Sequence, residues 1–235
     1  MQKMIIYAVD PDGRWLYRVG GISALSLGLA YIVIIALYVR IGAPPIGVEA
    51  RLAYLAANTT AWWAILGLSV LTDFLFAPVA LSLYVAFKEV NRNAMLLATA
   101  CVALFIVLDL ALTWTNYATL ITLSSEYAKA ATEAQRASIV TAASYPSVVL
   151  QSSLLFVYNT LILAVGILIS GFVMLNGIFR KSTAYLGLAT GILGVVSVVG
   201  PFFVSALRVT IILTSVLTTV WVLFVGQSLY RLGRK

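Results

Sequence analysis

Histidine is absent from this 235-residue chain, and cysteine occurs once, at Cys101. Without an imidazole there is no histidine haem anchor, no His-based zinc or iron site and no Ser-His-Asp catalysis. One thiol builds neither a disulfide framework nor a Cys-rich metal site. Charge is scarce as well: Asp, Glu, Lys and Arg are 10% of the residues, against about 25% in soluble domains. Acids are the rarer sign, eight against fifteen bases. What remains is 62% hydrophobic, with a mean hydropathy of +1.04. A soluble fold cannot cover that much apolar surface, and disorder needs the opposite composition. The chain therefore reads as an integral membrane protein. Its +7 formal charge does not indicate nucleic acid, because the bases are scattered at helix ends, where they set topology and meet anionic lipid heads.

A membrane-spanning helix needs about 20 mostly apolar residues. Six such runs can be cut from the sequence, at about 18–39, 62–87, 94–116, 147–175, 183–203 and 208–229, within one integral membrane domain. The N-terminus reads as a short cytoplasmic lead-in with a turn at Asp10–Gly13, not as a signal peptide, since Asp10, Pro11 and Asp12 interrupt its apolar start. With the N-terminus inside, the inner side holds Lys3, Arg14, Arg18, Lys88, Arg92, Arg180, Lys181, Arg231, Arg234 and Lys235. The outer side holds only Arg40, Arg51, Lys129, Arg136 and Arg208, so the expectation is N-in, C-in.

The outer connections carry helical patterning. Residues 46–61 place Val48, Leu52 and Leu55 on one face, with Glu49 and Arg51 turned away. Residues 117–145 continue past the third run, and Thr132 with Gln135 forms a capping-box pattern opening a second short helix that stops before Pro146. The expected product is an extracellular helical hairpin packed beside 46–61 as a hood, the alternative being a polar loop. No internal repeat is visible, and small-residue pairs such as Ala24/Gly28, Gly166/Ser170 and Gly187/Gly191 are accounted for by helix packing.

Carboxylates inside a span cost about 2.5–3.5 kcal/mol each unless paired, protonated or facing water. Two occur, Asp73 in the second run and Asp109 in the third. Counted from the interface tryptophans Trp62 and Trp114, they lie roughly 16 Å and 8 Å deep. Asn58, Trp62, Ser69 and Asp73 share a helical face, as do Asp109, Thr113 and Asn116 at i, i+4, i+7. Gln151 and Asn159 fall on one face of the fourth run, and Arg208, Ser215 and Thr219 on one face of the sixth. All four ridges are weighted to the outer half, while inner stretches such as LILAVGILISGFVML are nearly featureless. The pattern predicts a polar cleft open to the outside and closed near the midplane. Its ligand-binding candidates are Asp73, Asp109, Asn116, Gln151, Asn159 and Arg208.

Structural readings stay open beside this one. Asp109 with Arg208 reads equally as an ion pair, and Asp73 with Asn159 as an interhelical hydrogen bond. Pro78 is expected to kink the second run and free the Phe74 carbonyl, a common feature of membrane helices. Trp62, Trp63, Trp114, Tyr117 and Tyr145 are interface-belt residues first, and Cys101 is packing.

The stretches DFLFAPVALSLYVAFKEVNR, DLALTWTNYATL, EYAKAATEAQRASIV and VLTTVWVLFVGQSLYRL together resemble a multi-pass prokaryotic membrane family defined only as a domain of unknown function. The resemblance implies a six-helix bacterial or archaeal membrane protein and carries no activity, substrate or site residues.

The residues therefore predict an all-α, six-transmembrane bundle in a prokaryotic plasma membrane. It would bind a small amphipathic molecule or lipid from the outer side, or serve as an accessory subunit docked to a membrane partner or to its own copies. The alternative is a proton-coupled transporter using Asp73 and Asp109, with intramembrane carboxylates as the motive and the featureless inner half against it. A lipid-acting enzyme is the weakest reading, since two carboxylates are the only acid/base groups available; no cofactor and no nucleic-acid partner is expected.

Overall fold

In the computed structural model, which describes residues 13–234, every regular element is a helix. The order is α1 (Arg14–Ile41), α2 (Val48–Ala57), α3 (Thr59–Leu108), a π-helical turn (Asp109–Trp114), α4 (Thr115–Lys129) and α5 (Glu133–Gln151). There follow α6 (Ser153–Phe156), a second π-helical turn (Val157–Leu161), α7 (Ile162–Met174), α8 (Lys181–Val199) and α9 (Thr210–Arg234). Five helical runs are long and apolar enough to cross a membrane: Arg14–Ile41, Thr59–Lys129, Ser153–Met174, Lys181–Phe202 and Ser205–Arg234. The expected lead-in turn falls, apart from Gly13, outside the described residues.

The run Thr59–Lys129 has 71 residues and would be about 105 Å long if straight, several times a bilayer core. It reverses instead. Asn91, in the polar stretch Glu89–Asn93, leaves helical geometry at φ −158°, ψ 94°. Its side-chain oxygen accepts the Ala94 N–H at 3.0 Å, capping the next helical segment. Phe76 and Phe105, on opposite sides of the break, have ring centroids 5.6 Å apart, so the arms 59–90 and 92–108 lie back along each other. Pro78 is not the site of the interruption: the dihedrals depart from helix only at Asn91.

The bundle closes as a ring in which α1 packs on α9 and α3, α3 on α7, α7 on α8, and α8 on α9. Small residues set the closest approaches. A Cβ on Gly21 would lie 2.6 Å from the Tyr230 backbone nitrogen, and one on Gly171 would lie 2.8 Å from that of Leu188. Ser82, fully buried, donates to the Leu16 carbonyl at 2.8 Å and ties α3 to α1. Phe76, Leu83, Phe105, Ile167, Trp221 and Val225 belong to the central core, whereas Leu29, Val33, Leu71, Phe74, Leu104 and Val107 point outward as an apolar belt.

One end of the ring carries α2, α4 and α5, packed on one another around a second core of Leu52, Leu55, Trp62, Leu120, Ile121 and Ala143. The Trp62 ring stacks on Tyr117 at 5.0 Å and meets Tyr38 edge-on at 5.6 Å. The Thr132–Gln135 capping box forms as the sequence predicts: Thr132 accepts the Gln135 N–H at 3.2 Å and Gln135 accepts the Thr132 N–H at 3.3 Å.

Three local expectations are corrected. The helix opened by that box runs through Pro146 to Gln151, because a proline removes a single donor and the surrounding turns hold. The chain breaks at Ser152 instead, where ψ is 137° and the hydroxyl caps the Leu154 N–H at 3.2 Å, so the following apolar run starts at Ser153 rather than at 147. Arg51 does not turn away. Four residues before Leu55, it shares that buried face, is 8% exposed, and reaches the Ser147 carbonyl at 3.4 Å.

Candidate functional site

The π-helical turns Asp109–Trp114 and Val157–Leu161 touch each other inside the hood end of the ring. A π turn bonds i to i+5 and holds one residue more than an α turn, so it is retained mainly where it aims side chains at a site. Between these turns, α1 and α9 lies a cavity of about 290 Å³. Its wall includes Tyr31 and Tyr38 from α1, Asp109 and Trp114 from the first π turn, Asn159 from the second and Thr218 from α9.

The carboxylate of Asp109 is 5% exposed. Its Oδ2 accepts the Trp114 indole N–H at 3.1 Å, closing the π turn on itself, while Oδ1 is sealed from solvent with the Thr113 hydroxyl within reach as its donor. Thr113, buried on the same turn, has that carboxylate as its neighbour. Asp73, on the other arm of α3 and 2% exposed, stands outside the cavity lining, within reach of the same indole and within electrostatic range of Asp109. Its Oδ2 makes no hydrogen bond. Two carboxylates thus flank Trp114, and among the described residues no Lys or Arg lines the cavity.

The six residues picked from the sequence divide. Asp109 and Asn159 share the cavity, with Asp73 behind it. Asn116 is half-buried, outside the lining, and returns its amide to the Leu112 carbonyl at 2.6 Å. Gln151 and Arg208 are exposed and line a separate recess of about 190 Å³ with Ser153, Phe156 and Phe202. The ion pair of Asp109 with Arg208 is not formed, since Asp109 takes an indole and Arg208 faces the other recess. Nor does Asn159 bond Asp73; its Oδ1 accepts the Thr160 hydroxyl at 2.8 Å.

Sequence reasoning missed Tyr31 and Tyr38, which give α1 a wall of its own. Their signal is a spacing of seven, two turns on one face. It also missed Thr190 of α8, a single hydroxyl in an apolar run, and Thr214 and Thr218 of α9, which stand next to the ridge residues Ser215 and Thr219. Among the described residues no group of three or more His, Cys, Asp or Glu gathers to hold a metal ion. Comparison of the chain with family models, with curated proteins and with solved structures gave no match, so no activity is carried over from a relative.

Proposed function

We propose that this chain is a six-span membrane protein, N-in and C-in, that binds a small amphipathic molecule or lipid in the cavity under its outer hood. Support for six spans comes from the reversal at Asn91, which divides the run Thr59–Lys129 into the segments 59–90 and 92–129, each longer than the about 20 residues a span needs. Sidedness is supported by Arg14, Lys88, Arg92, Lys181, Arg231 and Arg234, which fall at helix ends opposite the hood. A prokaryotic plasma membrane is the setting this reading assumes.

The observation that carries the binding role is the cavity of about 290 Å³ itself, largely aromatic and aliphatic, to whose wall Tyr31, Tyr38, Asp109 and Asn159 bring polar groups, two of them supplied by the π turns. Few convergent polar groups on apolar walls are the usual make-up of a ligand pocket. A carrier reading keeps Asp73 and Asp109 as proton sites. Binding is favoured because the core between Phe76, Leu83, Met95, Ile167 and Trp221 leaves a void of only about 20 Å³, in whose wall Thr99 and Ser170 are the hydroxyl side chains.

Ser215 is exposed yet lines the cavity, so Ser215→Trp fills the space without opening the core. Native mass spectrometry of protein released from detergent is expected to show a small-molecule or lipid adduct on the wild type and to lose most of it in Ser215→Trp. Equal adduct occupancy in both proteins, or none in the wild type, contradicts the reading.

A further inference from the structure

The basic side chains at the end of the bundle opposite the hood are not all alike. Arg231 and Arg234 line an open groove of about 490 Å³ along the seam where α9 packs on α1. That seam is tight, since a Cβ on Gly226 would lie 3.0 Å from Leu25. Leu25 on α1, with Leu223 and Phe224 on α9, forms the apolar part of the groove. Gln227 and Tyr230 follow over the next two turns of α9, and the two arginines come last. Residues 224, 227, 231 and 234 lie at i, i+3, i+7 and i+10, one helical face that runs about 15 Å. Gln227, Tyr230, Arg231 and Arg234 are exposed, and among the described residues none of their side chains has a hydrogen-bond or ion-pair partner. No acid lines the groove among those residues.

Toward the end of the bundle the groove thus turns from apolar, to neutral and polar, to doubly positive. A glycerophospholipid lying along a helix presents its parts in the same order: acyl chains, ester carbonyls, phosphate. Ester carbonyls accept from an amide or a phenol, and a phosphate takes paired N–H bonds from guanidinium groups. A soluble anion would use the arginines and leave the apolar half idle. A second copy packed here about a two-fold would set each arginine pair against its own equivalent. Basic pockets between membrane helices are a known way of holding anionic headgroups.

We infer that the α1–α9 groove seats one anionic phospholipid from the leaflet opposite the hood, with its phosphate on Arg231 and Arg234 and an acyl chain along Phe224 and Leu25. The site is separate from the hood cavity and does not depend on what that cavity binds. Other bases at this end meet headgroups in passing, whereas these two stand over a wall that fits the rest of the lipid.

The test is native mass spectrometry of the full chain in one detergent, titrated with dioleoyl phosphatidylglycerol or dioleoyl phosphatidylcholine, which share acyl chains and differ in headgroup charge. The first phosphatidylglycerol is expected to bind about tenfold more tightly than the first phosphatidylcholine. Arg231→Gln with Arg234→Gln should bring that ratio to about twofold or less. Arg92→Gln with Arg180→Gln removes two charges from the same end outside the groove and should keep the wild-type ratio. A lipid held in the hood cavity is common to all three proteins and cancels in the comparison. Glycerol phosphate should not displace the bound phosphatidylglycerol. No preference in the wild type overturns the site, and that comparison needs no variant to fold. A ratio that survives in the groove variant, or falls equally in both variants, overturns it as well. Displacement by glycerol phosphate as effective as by phosphatidylglycerol itself overturns the lipid in favour of a plain anion.

Discussion

At the scale of single residues, the costs of burial identify what this protein has not satisfied internally. Arg51 is buried in the hood with an unpartnered Nε and a long hydrogen bond to the Ser147 carbonyl. Removing a charged group whose desolvation is poorly repaid is often neutral or stabilising. Arg51→Met, which keeps the aliphatic stem against α5, is therefore expected to leave stability unchanged or raise it by about 1–2 kcal/mol, read as the melting temperature in detergent. A clear fall would mean that the guanidinium has a bound counter-ion. The sequence hid this residue for a simple reason: polarity was weighed above spacing, although i+4 from Arg51 is Leu55. Asp73 and Asp109 were the opposite case, legible because a carboxylate inside an apolar run has few innocent explanations.

Helices as elements were legible wherever length and punctuation agreed. Five apolar runs, the polar reversal around Asn91 and the Thr132 capping box follow from composition and local chemistry. The π turns did not, because tertiary packing decides whether a turn gains a residue. Their effect explains the divided site. Asp109 and Asn116 share a face only in unbroken α geometry, and the first π turn lies between them. Gln151 and Asn159 are separated by both the break at Ser152 and the second π turn. At this scale glycine contacts give a paired expectation. Gly21→Val pushes against the Tyr230 backbone and should cost about 1–3 kcal/mol by separating α1 from α9. Gly67→Ala meets nothing within 4 Å and should stabilise by about 0.5–1 kcal/mol. Thermal melts of the two variants in one detergent should move in opposite directions.

The whole molecule makes its own prediction, about sidedness. Asn93 beside the reversal and Glu133 in the hood are both exposed and sit at opposite ends of the bundle. In a Cys101→Ser background, a membrane-impermeant maleimide on intact cells should label a cysteine at 133 and spare one at 93. Labelling of both, or of 93 alone, would refute the six-span, N-in arrangement. Finally, the arm that bears Asp109 passes through its π turn into α4 with no loop between. Hood and carboxylate are therefore parts of one mechanical lever. A nitroxide at the exposed position Glu126 would serve as a remote gauge, registering any displacement of the Asp109 segment without a probe ever entering the bilayer.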